Sequence, residues 1–304
     1  MNRIFALFPG QGSQAVGMGK AFSDSSEIAR ELFAEADAAL GFSLSKLCFE
    51  GPIEALTATD KAQPAILTAS TIAYRLFRNH DSETPVVVAA GHSLGEYSAL
   101  VAAEALTFAD AVQLVHKRGR YMQEAVPQGH GKMVAILGKE LAEVQAAIKK
   151  AGTDAQVANF NAPGQIVVSG SKQGVDTFLE NFPGVKAKEL VVSAPFHCSL
   201  MKPAEENLSR DLKAITFSEA RFPVVSNYYA EPLTNPERIR EALRLQVCGQ
   251  VRWVDCVQVG REHFHPDTGV EFGTGKVISG LMKRIDRAFP CSSIGTPSEV
   301  EGGL

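Results

Sequence analysis

Cysteine is scarce in this chain and unpatterned: five residues among 304, Cys48, Cys198, Cys248, Cys256 and Cys291, an odd number with no Cys-x-x-Cys. That excludes a disulfide framework and reads as free thiols in a reducing cytoplasm. A charge excess is missing too. Lys plus Arg number 30 against 34 Asp plus Glu, a formal net charge of −4, so no global basic field draws the chain to nucleic acid or an anionic membrane. Long apolar runs are absent: Ile4 to Phe8, after Arg3, is too short for a signal peptide, and no other run approaches membrane-spanning length. The expectation is a cytoplasmic protein with no nucleic-acid or membrane partner, and a monomer by default.

What is present is an ordinary globular composition, 45% hydrophobic and 21% charged, in a chain long enough for a large core or for a large and a small one. Residues 91–95 read Gly-His-Ser-Leu-Gly, between the apolar run Pro85 to Ala90 and the helix-forming run Glu96 to Leu106. Strand, sharp turn and helix around Gly-x-Ser-x-Gly form a nucleophile elbow, in which glycines two before and two after the serine avoid Cβ clashes. The turn would lift the Ser93 hydroxyl clear of the sheet, against the first N–H groups of the helix. A chance loop of the same pattern lacks the flanking strand and helix.

Elsewhere the chain alternates strand and helix. Ile4 to Phe8 reads as a strand, about 19–39 and 60–79 as helices, and Thr107-Phe-Ala-Asp110 as the capped start of a helix to about Ala125. Pro64 is tolerable only near the first turn of its helix. After the turn-rich stretch Pro127 to Gly131 the order becomes strand 132–138, helix 139–151, strands 155–161 and 165–169, helix 171–182 and strand 186–192. That βαββαβ order is ferredoxin-like and suggests an inserted unit. Helices near 199–213 and 236–248 and a strand about 269–272 return to the larger body. The division is 1–126 with 197–287 as a large subdomain, 127–196 as a small one, and a disordered tail over 288–304, rich in Pro, Ser and Gly.

A serine nucleophile needs a base. Of the seven histidines, His197 stands out, because it lies where the inserted unit rejoins the main body, a junction suited to a cleft. A structural histidine fits there equally well. His92 adjoins Ser93 and reads as packing. Arg118 follows Ala111 and Val115 and precedes Met122 at helical spacings, which sets a guanidinium on an apolar stripe. Its partner is either an internal carboxylate or one carried by a substrate.

Three further patterns mimic known sites. Gly10-Gln-Gly-Ser-Gln-Ala15 fits a dinucleotide fingerprint, but Pro9 interrupts the turn. His263-Phe-His265-Pro-Asp267 has a metal-like spacing with no further ligand set after it, and solvated loop residues are the better reading. Gly273-Thr-Gly-Lys276 lacks the upstream glycine and following hydroxyl of a phosphate loop.

Taken together, Phe8-Pro-Gly-Gln-Gly-Ser-Gln14, Gly91-His-Ser-Leu-Gly-Glu-Tyr97, Arg118 in Lys117-Arg-Gly-Arg-Tyr-Met-Gln123, Ala158-Asn-Phe-Asn-Ala-Pro-Gly-Gln165, Ser193-Ala-Pro-Phe-His-Cys-Ser-Leu-Met201 and Gly273-Thr-Gly-Lys-Val277 resemble malonyl-CoA:acyl-carrier-protein transacylases, over roughly residues 4–287. The resemblance implies an α/β-hydrolase-like large subdomain with a parallel sheet and a ferredoxin-like insert. It implies transfer of a malonyl group from malonyl-CoA to the phosphopantetheine thiol of an acyl carrier protein, for fatty-acid synthesis or, alternatively, a polyketide pathway; a serine thioesterase or esterase is the other enzyme class.

By the same resemblance Ser93 matches the nucleophile, His197 the base and Arg118 the holder of the malonyl carboxylate. Gln11 and Leu94 match the backbone donors of the oxyanion hole, Gln246 the carbonyl that orients the histidine, and Phe196 the residue accompanying malonyl selection. No cofactor and no metal are implied. An acidic carrier partner suggests a basic rim, for which Lys117, Arg120, Lys283 and Arg284 are candidates. Gly249-Gln250 and Phe272-Gly-Thr-Gly275 depart from the commoner family residues.

Overall fold

A computed structural model describes residues 2–302. Its described strands are β1 (Ile4–Phe8), β2 (Val86–Gly91), β3 (Gly131–Leu137), β4 (Gln156–Ala162), β5 (Gln165–Ser171), β6 (Lys186–Glu189), β7 (Val224–Val225), β8 (Pro232–Leu233), β9 (Thr268–Phe272) and β10 (Cys291–Ile294). They form two sheets. The larger has the order β10-β9-β1-β2-β7-β8 and the smaller β4-β5-β3-β6.

Strand β1 shows why the large sheet is doubly covered. All five of its residues are buried; Ile4, Ala6 and Phe8 enter one core while Phe5 and Leu7 enter another on the opposite face. Alternation of side chains across a pleat makes a continuous apolar run the signature of a strand packed on both faces. It pairs in parallel with β2 and β9, β2 with β7 and β9 with β10, and only β8 runs antiparallel. The crevice beyond the carboxyl ends of β1 and β2 is where such a sheet offers a binding site.

The long helix Thr59–His80 crosses the first core and keeps Pro64 within it. Proline has no N–H to give the carbonyl four residues earlier, and that carbonyl, of Asp60, instead accepts from His116 Nδ1 at 2.8 Å. The helix Phe108–Glu124 begins where Thr107 Oγ1 accepts the Asp110 N–H at 3.2 Å. The expected single helix from residue 19 is two, Lys20–Ser25 and Glu27–Leu40, because Ser26 is extended between them.

The small sheet is antiparallel throughout, and with its helices Leu141–Ala151 and Lys172–Glu180 it encloses a core of its own. β6 stops at Glu189 rather than 192, and Val191 then stands fully exposed. The tail over 288–304 departs from the expected disorder. β10 adds to the edge of β9, and the short helix Pro297–Glu301 follows, with Ile294 and Val300 buried in the first core. Pro, Ser and Gly suggested a loop, but hydrogen bonding to an open parallel edge overrides composition; residues 303–304 lie outside the described residues.

Candidate active site

Strand β2 ends at Gly91 and the helix Gly95–Ala102 begins four residues later. Between them Ser93 has φ 52°, the strained turn of an elbow. The glycines are required by contact: a Cβ on Gly91 would lie 1.9 Å from the Gly95 carbonyl group, and one on Gly95 would lie 2.3 Å from the Phe8 carbonyl oxygen. We therefore expect Gly95→Ala to cost about 1–3 kcal/mol or more through backbone overpacking. A thermal midpoint equal to that of the unchanged protein would overturn this expectation.

Ser93 Oγ lies 2.8 Å from His197 Nε2, and His197 Nδ1 lies 2.9 Å from the Gln246 carbonyl oxygen. A carbonyl only accepts, so Nδ1 carries the proton and Nε2 presents its lone pair to the serine hydroxyl. His197 also has a positive φ, 57°, at the point where the chain re-enters the large body. Burial, and next the Arg118 charge, push its pKa down to about 3. The imidazole is a neutral base at any ordinary pH. Among the described residues no carboxylate takes the usual third place behind it.

Arg118 is 1% exposed. Its Nη1 donates to Gln63 Oε1 at 2.7 Å, and its Nη2 donates to Gln246 Oε1 at 2.9 Å and to Ser93 Oγ at 3.1 Å. Its face lies over the Tyr97 ring at 5.5 Å. Among the described residues it makes no ion pair, so the internal carboxylate considered from the sequence is not in contact. Burial lowers its pKa, which marks the cost of holding this charge.

Gln246 has two roles at once. Its main-chain oxygen holds the histidine, while its side-chain Nε2 donates to the Ser93 carbonyl at 3.0 Å and to Glu96 Oε2 at 2.7 Å. The Ser93 N–H goes to Asn227 Oδ1 at 2.7 Å, and Asn227 Nδ2 donates to the Gly91 carbonyl at 2.8 Å. By contrast, the N–H groups of Gln11 and Leu94 have no hydrogen-bond partner among the described residues. Gln11 Nε2 donates to Thr59 Oγ1 at 3.2 Å, which in turn meets Ser193 Oγ at 2.9 Å, tying the loop after β1 to the segment that leads to His197. Phe196 is buried in the first core beside that segment, its N–H directed at Met133 Sδ.

The acyl transferase domain family matches residues 5–271. A malonyl CoA-acyl carrier protein transacylase of Escherichia coli O157:H7 is 44% identical over 313 residues, covering 100% of this chain and 99% of that protein. The chain belongs to the malonyl CoA-acyl carrier protein transacylase family. A crystal structure of an acyl carrier protein S-malonyltransferase from Vibrio cholerae O1 biovar eltor str. N16961 superimposes with a TM-score of 0.95 at 39% identity, covering 99% of each chain. A structure of a type II PKS acyl-carrier protein in complex with its malonyl-transacylase gives 0.95 at 38%, also over 99% of each chain.

Other sequence patterns take structural places in this transacylase fold. His92 Nε2 meets Asn161 Oδ1 at 2.7 Å and its ring packs on Trp253, joining the elbow to β4 of the small sheet. Glu271 explains the phosphate-loop mimic: its carboxylate accepts the N–H groups of Ile278 and Ser279 at 3.0 and 2.8 Å, so an internal anion already sits on that helix terminus. Asp267 accepts the Arg3 N–H at 2.7 Å, and His265 ends the helix Trp253–Phe264 in a left-handed conformation. Gly249 is held against the Tyr228 ring, where a Cβ would approach to 2.3 Å.

The basic candidates do not converge. Lys117 pairs with Asp211 at 2.6 Å and Arg284 donates to Gln165 Oε1 at 2.7 Å. Their helices, Phe108–Glu124 and Val277–Ile285, pack into cores on opposite faces of the large sheet. Sequence reasoning missed Gln63, Glu96 and Asn227. Glu96 lay in plain view inside the elbow motif, but nothing in the sequence brings Asn227 to Ser93.

Proposed function

We propose that the protein transfers a malonyl group from malonyl-CoA to the phosphopantetheine thiol of an acyl carrier protein, by way of a malonyl ester on Ser93. The observation that carries this reading is Arg118: a guanidinium buried, among the described residues, without an anionic contact, 3.1 Å from the nucleophile oxygen. A substrate carboxylate placed there would supply the missing charge with two-pronged hydrogen bonds.

In the loading half, His197 Nε2 takes the Ser93 proton as Oγ attacks the thioester carbonyl. The oxyanion is held by the N–H groups of Gln11 and Leu94. Collapse breaks the C–S bond, and the proton on His197 passes to the departing CoA sulfur. In the second half the carrier thiol gives its proton to His197, attacks the serine ester and leaves as the malonyl thioester, while Ser93 regains its proton. No metal or cofactor enters either half. Phe196, the residue directly before His197, is read as the one that accompanies a malonyl preference. We take fatty-acid synthesis in the cytoplasm as the setting, with a polyketide carrier as the alternative, in keeping with the neighbour named as a type II PKS acyl-carrier protein in complex with its malonyl-transacylase. Among the described residues no helix is long and apolar enough to cross a membrane.

Intact-mass measurement tests the reading. After mixing with malonyl-CoA we expect a malonyl adduct that is absent in Ser93→Ala and that moves to added holo-carrier. Free malonate without transfer would identify a thioesterase instead, and the rates with fatty-acid and polyketide carriers would separate the two settings.

A further inference from the structure

Glu96 has no part in the chemistry above, yet its carboxylate lies directly beneath it, 3% exposed, in the first turn of the elbow helix. A single oxygen, Oε2, takes both of its hydrogen bonds, from the Asn227 N–H at 3.0 Å and from Gln246 Nε2 at 2.7 Å. The amino end of the Gln246 carboxamide is thus enclosed by acceptors, with the Ser93 carbonyl at 3.0 Å and Asn227 Oδ1 at 3.4 Å. Only Oε1 is left to accept from Arg118 Nη2. Turned the other way, the amide would set its NH₂ against the guanidinium and its oxygen against the carboxylate. Glu96 therefore fixes the direction in which Gln246 faces, and one side chain separates the buried anion from the buried cation.

We propose that Glu96 is a positioning residue for acyl loading: through the Gln246 carboxamide it balances the charge of Arg118 and keeps the guanidinium on Ser93 until a substrate carboxylate takes over as counter-ion. The inference rests on the malonyl-transfer reading. Two carboxylates around one guanidinium repel each other, so the arrival of the acyl carboxylate drives Glu96 to bind a proton. The site then holds one cation and one anion before and after loading.

Glu96 is poised for this, since burial pushes its pKa up to about 7 against the opposing hydrogen bonds from Asn227 and Gln246 and the Arg118 charge. The other titratable groups facing it stay fixed. Arg118 remains cationic, burial raises the Cys256 thiol of the helix Trp253–Phe264 well above its usual value, and Tyr97 on the same helix as Glu96 is pushed up to about 12. His197, beyond Gln246, is held down at about 3. The sign follows. A second anion raises the Glu96 value in the complex, so affinity for a carboxylate-bearing acyl group is full below about pH 7 and falls as pH rises through the free-state value.

The test compares KM for malonyl-CoA and acetyl-CoA from about pH 6 to pH 8.5 in the unchanged enzyme and in Glu96→Gln. In the variant an amide oxygen replaces Oε2 and retains both hydrogen bonds, while the charge is lost. We expect KM for malonyl-CoA to rise with pH above about 7, by at most tenfold per unit, with no such rise for acetyl-CoA, and the rise to disappear in Glu96→Gln. A rise that survives in Glu96→Gln, or is absent from the unchanged enzyme, would overturn the proposal.

A second measurement does not depend on that variant folding. Calorimetry of Ser93→Ala at about pH 7.5, above the free-state value of Glu96, in buffers of different ionisation enthalpy should show more proton uptake with malonyl-CoA than with acetyl-CoA, and equal uptake would also overturn it. Failure to form any malonyl adduct on Ser93 in the unchanged enzyme would remove the transfer reading together with this inference. An adduct with an unaltered pH slope in Glu96→Gln would remove the inference alone.

Discussion

Arg118→Ala is expected to lower kcat/KM for malonyl-CoA by roughly 10²- to 10⁴-fold, and to raise the ratio of acetyl to malonyl loading. The magnitude follows from what is left behind. With the guanidinium gone, a malonyl carboxylate in the site faces Gln63 Oε1 and Gln246 Oε1, both acceptors in the present arrangement. Removing one partner of a buried ion pair costs about 3–5 kcal/mol, and each 1.36 kcal/mol is about tenfold in rate. An acetyl group has no charge to strand, and in the unchanged enzyme it leaves the guanidinium on neutral partners. The ratio is the decisive readout, because a general loss of folding or of serine reactivity would depress both substrates alike. Lysine at 118 should rescue the charge but only part of the rate, since one ammonium cannot bridge Gln63, Gln246 and the acyl carboxylate as the planar fork does. Malonyl kinetics unchanged in Arg118→Ala would sink the clamp.

Some of this was legible in the chain and some was not, for reasons that can be located. β1 and the elbow are local: an unbroken apolar run, two glycines at fixed offsets and a helix former after them leave few alternatives. The burial of Arg118 followed from helical spacing alone, whereas its partner could not, because Gln63 and Gln246 are brought to it by the packing of three helices far apart in sequence. Gln246 was placed only by resemblance; a glutamine near a helix end carries no signal of its own. The helix Trp253–Phe264 escaped notice because Trp, Val, Cys and Gly crowd its buried face and are mediocre helix formers, stabilised there by the second core. β7 and β8, two residues each, are too short to show any period. Asn227 follows β7, and its contact with Ser93 is a consequence of sheet order, which no local pattern encodes.

The absence, among the described residues, of an acid behind the histidine sets the second large expectation. His197→Ala should lower the rate of acyl-serine formation by roughly 10²- to 10⁴-fold, the usual contribution of a positioned general base. In a triad a carboxylate steadies the imidazolium that forms; here, among the described residues, main-chain groups at Gln246 and Gly249 favour it, and Arg118, bonded to the same Ser93 Oγ, opposes the new positive charge. Burial, and next the Arg118 charge, keep the resting imidazole neutral. The unchanged enzyme should therefore show no tenfold-per-unit loss of loading between about pH 6.5 and pH 5 from this group, although an unperturbed histidine would titrate there. The fold-loss in His197→Ala should accordingly be the same at about pH 5.5 as at pH 8. Rapid-quench measurement of malonyl-serine at the two pH values checks both statements. Normal loading in the variant would remove His197 as the base, while a deficit that shrinks on acidification would show that the imidazole protonates near its ordinary value and that burial does not hold it neutral.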